Sequence, residues 1–230
     1  FVGSRRSFFD LKAVEENLIP RHWSRLWKIH GSINWYQEKV DNERKVYRSS
    51  EVKKDASHLI YPSHLKYEES RKMPYLALID QLNRFIRQKS SFLILSGYSF
   101  NDGHLNDAIV NALKANPTAM VLGLMHGNYL TKSADEADME SYPNAYRLAM
   151  KQHNLNIWTF DKAIIGTNLG DWRRPQNNGD EDQDILSFIS DYKPDDESPS
   201  QTNVKLGDFD VFSDFLKKII GSHKELSNGK

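Results

Sequence analysis

The 230-residue sequence contains no cysteine. It therefore forms no disulfide, carries no thiolate nucleophile and holds no zinc through cysteine ligands. Histidine and carboxylate side chains remain as possible metal ligands, but no dense cluster of them occurs at ligand spacing. We accordingly expect no zinc and no other metal site.

The chain also lacks an excess of charge and a long apolar run. Its 31 basic and 31 acidic residues balance, whereas a nucleic-acid-binding domain carries a basic excess. No window reaches the roughly 18 to 20 apolar residues of a membrane-spanning helix, and no signal peptide opens the chain. We expect a cytoplasmic protein that binds neither membrane nor nucleic acid directly.

The sequence starts at Phe1 without an opening strand or glycine-rich loop. Its length suffices for one large domain with a substantial core. We interpret the chain as a piece of a longer polypeptide, in which residues before Phe1 carry part of the functional site.

The middle of the sequence alternates apolar strands with amphipathic helices. From Tyr75 to Gln88, apolar residues recur at the spacing of one helical face. Three apolar runs follow, SFLILSGYSF, AMVLGLMHG and LNIWTF, separated by a helix that Asn101 or Asp102 caps and by a helix over 142–153. Such runs are typical of strands buried on both faces. We predict an α/β fold, a Rossmann-type parallel sheet flanked by helices, with helical additions.

The remaining segments are more polar. Val40 and Val46 flank a turn at Asp41-Asn42, which predicts an exposed hairpin. Residues 167–208 are rich in Asp, Asn, Pro and Ser and predict surface loop, with one short helix at 185–189. Apolar spacing over 209–220 predicts a closing helix.

Two short motifs are candidates for a site. In LWKIHGSINW, an apolar segment that we interpret as a strand runs into His30, Gly31 and Ser32; in GYSFND, Gly97 opens the segment after a buried strand. Ligands of parallel sheets bind beyond the carboxyl ends of the strands. GYSFND also precedes a helix N-terminus, whose free amides suit phosphate.

Each motif alone has a plainer structural interpretation. His30 can be a merely exposed histidine, Ser99 a helix cap and Tyr98 a packing residue. The acidic run GDEDQD at 179–184 is better explained as a solvated loop than as a metal loop. Spacing alone leaves these alternatives open.

HGSINW at 30–35 and GYSFND at 97–102 occur together with IYP at 60–62, Lys66-Tyr67 and Pro74-Tyr75 between them. In order and spacing these segments resemble the sirtuin-like domain of bacterial antiviral NADases. The resemblance covers residues 1–166, and LGDFDVFSDFL resembles that family's tail. It implies a sirtuin-like NAD-binding domain at 1–166, its N-terminal half missing, and a polar loop with a C-terminal helical extension at 167–230 packed on the same domain.

The resemblance also assigns roles. His30 matches the histidine that sirtuin-type enzymes place against the ribose on the nicotinamide side. Gly31 and Ser32 would shape the pocket wall beside it. Gly97, Tyr98 and Ser99 match the turn that lines the NAD pocket.

Two departures from sirtuin deacylases stand out. The zinc module of two CxxC pairs that follows their histidine is absent, since no cysteine lies between His30 and Gly97. The phosphate loop and the segment that supplies a catalytic asparagine belong upstream of His30 and are not in this chain. Binding of acylated lysine is therefore disfavoured.

The leading hypothesis is an NAD+ glycohydrolase that yields nicotinamide and ADP-ribose and depletes cellular NAD+ in antiphage defence. A base of ordinary imidazole pKa, about 6.5, suits the reaction near neutrality. The resemblance implies control by homo-oligomerisation or by a partner, either a HerA-type ATPase or a short Argonaute-containing protein. The alternative is a non-catalytic scaffold subunit that binds NAD or ADP-ribose.

Overall fold

The structure is a computed structural model that describes residues 6–20, 22–40, 43–51, 74–174, 187–193 and 200–227. The chain divides into two compact units, residues 1–85 and 86–230. In the described segments, no helix is long and apolar enough to cross a membrane. The motifs at 60–62 and 66–67 and the acidic run at 179–184 lie outside the described residues.

The first unit contains a small antiparallel sheet. Its elements are β1 (Arg6–Phe8), α1 (Leu11–Glu15), β2 (Trp35–Val40), β3 (Glu43–Ser49) and α2 (Tyr75–Ile86). The strand order is β1-β3-β2. Strands β2 and β3 form the predicted hairpin, and its turn at Asp41-Asn42 lies outside the described residues. The predicted exposure of the hairpin is wrong, because Trp35 and Val46 are buried. Trp35, Val46 and Leu78 form the buried core, so the amphipathic face of α2 faces the sheet as its spacing predicts.

The second unit is built on a five-stranded sheet. Its elements are β4 (Phe92–Ser96), α3 (Gly103–Ala115), β5 (Met120–Leu124), β6 (Leu130–Lys132), β7 (Asp138–Glu140), α4 (Pro143–Ala149), β8 (Leu155–Trp158), β9 (Lys162–Ile165), β10 (Asn168–Asp171), β11 (Ile189–Tyr192), β12 (Gln201–Val204) and α5 (Phe209–Ser227). The order is β10-β9-β8-β5-β4. Strands β4, β5 and β8 are parallel, and β9 and β10 extend the sheet in antiparallel fashion. The predicted mixed α/β architecture, with a parallel-containing sheet flanked by helices, is confirmed.

The two faces of this sheet are buried differently. Because side chains alternate along a strand, Leu122 and Leu124 lie on one face, where they pack with Val204 and with Phe212 of α5. On the other face, Gly123 lies beside Ile157 and the ring of Phe100. Burial explains why β5 and β8 are almost wholly apolar. Strand β4 is equally apolar but only partly buried.

The segment 167–208 differs from its prediction. It was predicted to be mostly loop, yet it contributes β10, β11 and β12. These strands are polar because they lie in hairpins with much of their surface exposed. The predicted helix at 185–189 is wrong at its end, since Ile189 begins β11 and packs with Phe188 on the cluster around Leu122 and Leu124. Residues 185 and 186 lie outside the described residues.

Candidate functional site

His30 lies in a tight turn of the first unit. The predicted strand before it is wrong, because residues 24–34 form no strand and β2 begins only at Trp35. The amide of Gly31 donates to the carbonyl of Lys28 at 2.9 Å, and the amide of Trp35 donates to Ser32 at 3.0 Å. These bonds require the chain to bend at Gly31, whose φ of +82° favours glycine. His30 therefore precedes a strand of an antiparallel sheet.

Side chains in this turn take distinct positions. Ser32 is buried, with 8% of its surface exposed, and its hydroxyl accepts a hydrogen bond from Lys28 Nζ at 3.0 Å. The side chain of His30 is exposed. His30 and Lys28 are thus exposed at the surface of the turn. The buried Ser32 hydroxyl bonds Lys28 from within the turn.

A cavity of about 300 Å³ lies in the same unit. Its walls are largely apolar and include Trp23, Leu26, Trp27 and Trp35, with Lys28 at its border. Flat aromatic walls of this kind suit a planar or apolar group.

Gly97, Tyr98 and Ser99 follow β4 in the second unit, at the carboxyl end of a parallel strand as predicted. Gly97 has a φ of +71°, and in the described part of the chain no atom beyond its own neighbours lies within 4 Å of the position that a Cβ would take. Backbone at this turn is therefore open to close approach by a ligand. Ser99 is half-buried.

The hydroxyl group of Tyr98 points inward. That hydroxyl donates to Asn106 Oδ1 at 2.8 Å and lies 3.1 Å from the carbonyl of Asp102. Burial, followed by the charge of Asp102, raises the pKa of Tyr98 well above its ordinary value. Tyr98 therefore remains neutral. In the described part of the chain, the Ser99 hydroxyl makes no hydrogen bond.

Asp102 is the helix cap that the sequence predicts. Its carboxylate accepts from the amides of His104 and Leu105, at 3.0 and 3.3 Å. The carboxylate thus caps two of the amides at the positive end of the helix dipole. The phosphate site expected at this helix end stays a prediction.

Two further loops share the carboxyl edge of the sheet. After β5, the amide of Tyr129 donates to Asp161 Oδ1 at 2.7 Å. After β8, the amide of Phe160 donates to the carbonyl of Gly127 at 2.9 Å, and the ring of Phe160 lies 5.2 Å from the ring of His126. These bonds join the loop after β5, the strand next to β4, to the loop after β8, which lies one strand further along the sheet.

Comparison with family models gives a match to the SIR2-like domain over residues 4–155. The chain belongs to the SIR2-like family. No curated protein matches the chain. SIR2-like domains bind NAD and are often NAD-dependent enzymes, so this SIR2-like chain has an NAD-related function.

The SIR2-like match covers both candidate turns. The structure brings His30, Gly31 and Ser32 together in the first unit, and Gly97, Tyr98 and Ser99 together in the second. Their assignment to catalysis and to binding stays a prediction. In the described segments, no group of three or more His, Asp or Glu side chains could hold a metal ion.

Sequence reasoning missed the part that Asn106, His126 and Asp161 play at the carboxyl edge of this SIR2-like domain. Asn106 stands one helical turn after the cap and is buried. Its one available signal was a polar residue on an apolar helical face, where hydrogen bonding is expected. His126 and Asp161 directly follow the predicted strands, and that position was the signal for them.

Proposed function

We propose that this chain is part of an NAD+ glycohydrolase that releases nicotinamide and ADP-ribose. The observation that carries the proposal is the Gly97–Ser99 turn at the carboxyl end of β4 in a SIR2-like chain. The open backbone at Gly97 and the Ser99 hydroxyl fit a nucleotide that lies against the sheet edge.

In the proposed reaction, the bond between the ribose carbon and the nicotinamide nitrogen breaks. Its electron pair neutralises the nicotinamide nitrogen, while water bonds to the ribose carbon and loses a proton. His30 is the proposed base, acting on the water or on a ribose hydroxyl, because imidazole exchanges protons near neutral pH. Its exposed side chain in the 28–32 turn leaves it accessible to substrate.

The absence of cysteine favours hydrolysis over protein deacylation. Family members that deacylate lysine use a zinc module with two CxxC pairs, and this sequence has no cysteine. Without that module, the support for acyl-lysine binding is lost. Water is therefore the acceptor that we assign to the ribosyl group.

We further propose that the activity serves antiphage defence, in the cytoplasm, under the control of self-association or of a partner such as a HerA-type ATPase or a short Argonaute-containing protein. Leu26 and Ile33, on either side of His30, are 80% and 77% exposed. If these side chains form one contiguous apolar patch, that patch is of the kind that another chain covers. Contact at these residues would place control beside the proposed base.

A second candidate is a scaffold subunit that binds NAD or ADP-ribose without turnover. It is favoured by one observation: His30 is not among the residues that line the aromatic cavity described in its unit. In that case the Gly97–Ser99 turn would bind nucleotide and the 28–32 turn would serve structure alone.

Nicotinamide release from NAD+ by the complete protein, with and without candidate partners, tests the proposal. We expect His30→Ala to lower turnover by roughly 10²- to 10⁴-fold, as for loss of a general base. His153→Ala is the matched control, because His153 is an exposed histidine of the second unit. Wild-type protein that binds ADP-ribose but releases no nicotinamide under any partner condition would replace the hydrolase with the scaffold.

A further inference from the structure

One buried amide holds both ends of the segment that presents Ser99. Asn106, on the first turns of α3, is 8% exposed. Its Oδ1 accepts the hydroxyl proton of Tyr98 at 2.8 Å, and its Nδ2 donates to the carbonyl of Phe100, also at 2.8 Å. Ser99 lies between these two residues in the chain, so the same side chain bonds the Tyr98 side chain before it and the Phe100 backbone after it.

Phe100 needs such support because of its backbone. Its φ is +57°, in the left-handed region that residues other than glycine rarely adopt. The Asn106 bond holds the carbonyl in this conformation, and the ring is buried, with 1% exposed. A left-handed residue directly after Ser99 turns the chain sharply, which constrains the backbone path on which Ser99 lies.

Gly123 on β5 provides the space for the Phe100 ring. A Cβ at Gly123 would lie 3.2 Å from Phe100 Cε2 and 2.6 Å from Ile157 Cδ1. Either contact is shorter than ordinary packing allows. The ring of Tyr98 packs on the same phenyl group, with centroids 4.8 Å apart. Tyr98 and Phe100 are thus fixed by packing as well as by Asn106.

We propose that Asn106 is the positioning residue that orients Ser99 towards NAD+, with Gly123 providing the space that the arrangement requires. The inference rests on the proposed function, since it assigns the ligand of the turn. Asn106 itself touches no substrate. Its action passes through Tyr98 and Phe100, and it therefore governs how tightly nucleotide binds rather than how fast the glycosidic bond breaks.

The test compares Asn106→Leu and Tyr98→Phe with Asn111→Leu in the complete protein. Asn111 is an exposed asparagine on the same helix, which makes it a matched control. We expect Asn106→Leu to raise KM for NAD+ and Kd for ADP-ribose by about 10²-fold, while kcat stays near its wild-type value. Tyr98→Phe removes one of the two bonds and keeps the ring, so we expect a smaller rise in the same constants.

Hydrogen exchange of the backbone over 97–102, without ligand, separates this inference from the function. Faster exchange in Asn106→Leu and Tyr98→Phe, but not in Asn111→Leu, supports the positioning role. Failure of the wild-type protein to bind ADP-ribose would contradict the proposed function and leave this exchange result standing. Unchanged exchange and unchanged KM in both variants overturn the positioning role. A lower kcat that accompanies a lower melting temperature, with KM and Kd unchanged, would also overturn it, because this pattern indicates a structural role alone. If Asn106→Leu does not fold, Tyr98→Phe decides by the same criteria.

Discussion

The two turns that carry the candidate residues are built in opposite ways. The Gly97–Ser99 turn is fixed by side chains, because Tyr98 and Asn106 bond beneath it. The turn around His30 is held by backbone hydrogen bonds and one lysine–serine contact, and its histidine is exposed. A surface shaped before the ligand arrives suits binding, whereas an accessible imidazole suits proton transfer. Under the proposed function, we therefore expect the Gly97–Ser99 turn to contribute to binding and His30 to contribute to the chemistry.

The largest expected effect concerns the packing that supports the second unit. A Cβ at Gly207 would lie 1.8 Å from the carbonyl oxygen of Met125, and backbone cannot move aside cheaply. We expect Gly207→Ala to lower the free energy of unfolding by about 3 kcal/mol, measured by urea denaturation. Gly170→Ala is the control, since nothing lies within 4 Å of its Cβ position. Equal stability of the two variants would contradict the packing that we describe after β5.

A smaller effect is expected at Gly97. Its φ of +71° strains any other residue, so Gly97→Ala should cost about 1 to 2 kcal/mol of stability and weaken ADP-ribose binding. Gly103 has equal space but no positive φ, and there alanine should leave both quantities near wild type. Thermal unfolding and calorimetric titration of the pair provide the comparison. If Gly97→Ala binds ADP-ribose as wild type does, the turn is not part of the nucleotide site.

In the first unit, loss of the Ser32 hydroxyl should matter less for stability. Ser32→Ala removes the contact with Lys28, which we expect to cost roughly 1 kcal/mol or less. Because the contact holds the turn of the proposed base, kcat should fall while ADP-ribose affinity stays unchanged. A double-mutant cycle with Lys28→Met isolates the pair. If the changes in the free energy of unfolding are fully additive in that cycle, the contact does not contribute to stability.

The smallest expected effect is a pH dependence at Tyr98. Burial and the charge of Asp102 raise the pKa of Tyr98 in the folded state above its ordinary value of about 10. Above about pH 10 the unfolded chain therefore loses the tyrosine proton first, and stability falls as pH rises. We expect Tyr98→Phe to lose less stability than wild type between pH 9 and about pH 11, by denaturation at each pH. Parallel losses in both proteins would show that the hydroxyl is not buried.

Local patterns predicted the elements that have a continuous apolar run, one apolar face or a capping residue. The apolar strands β4, β5 and β8, helix α2 and the Asp102 cap follow from residue type and spacing alone. Patterning failed where exposure is mixed, as in β10, β11 and β12, because a half-exposed polar strand has the composition of a loop. It also failed at 26–30, where apolar side chains line a cavity without forming a strand.

The site was predictable in part. The position of GYSFND at the end of β4 followed from the parallel-strand rule. The inward direction of Tyr98 did not follow, because it depends on Asn106, a contact between residues that only the folded turn brings together.

ADP-ribose titration of the His30→Ala protein, paired with nicotinamide release by the same sample, tests the division of binding and chemistry most directly. The account predicts wild-type affinity for ADP-ribose together with turnover lowered by roughly 10²- to 10⁴-fold. Affinity lost in proportion to turnover, or turnover retained, would contradict it.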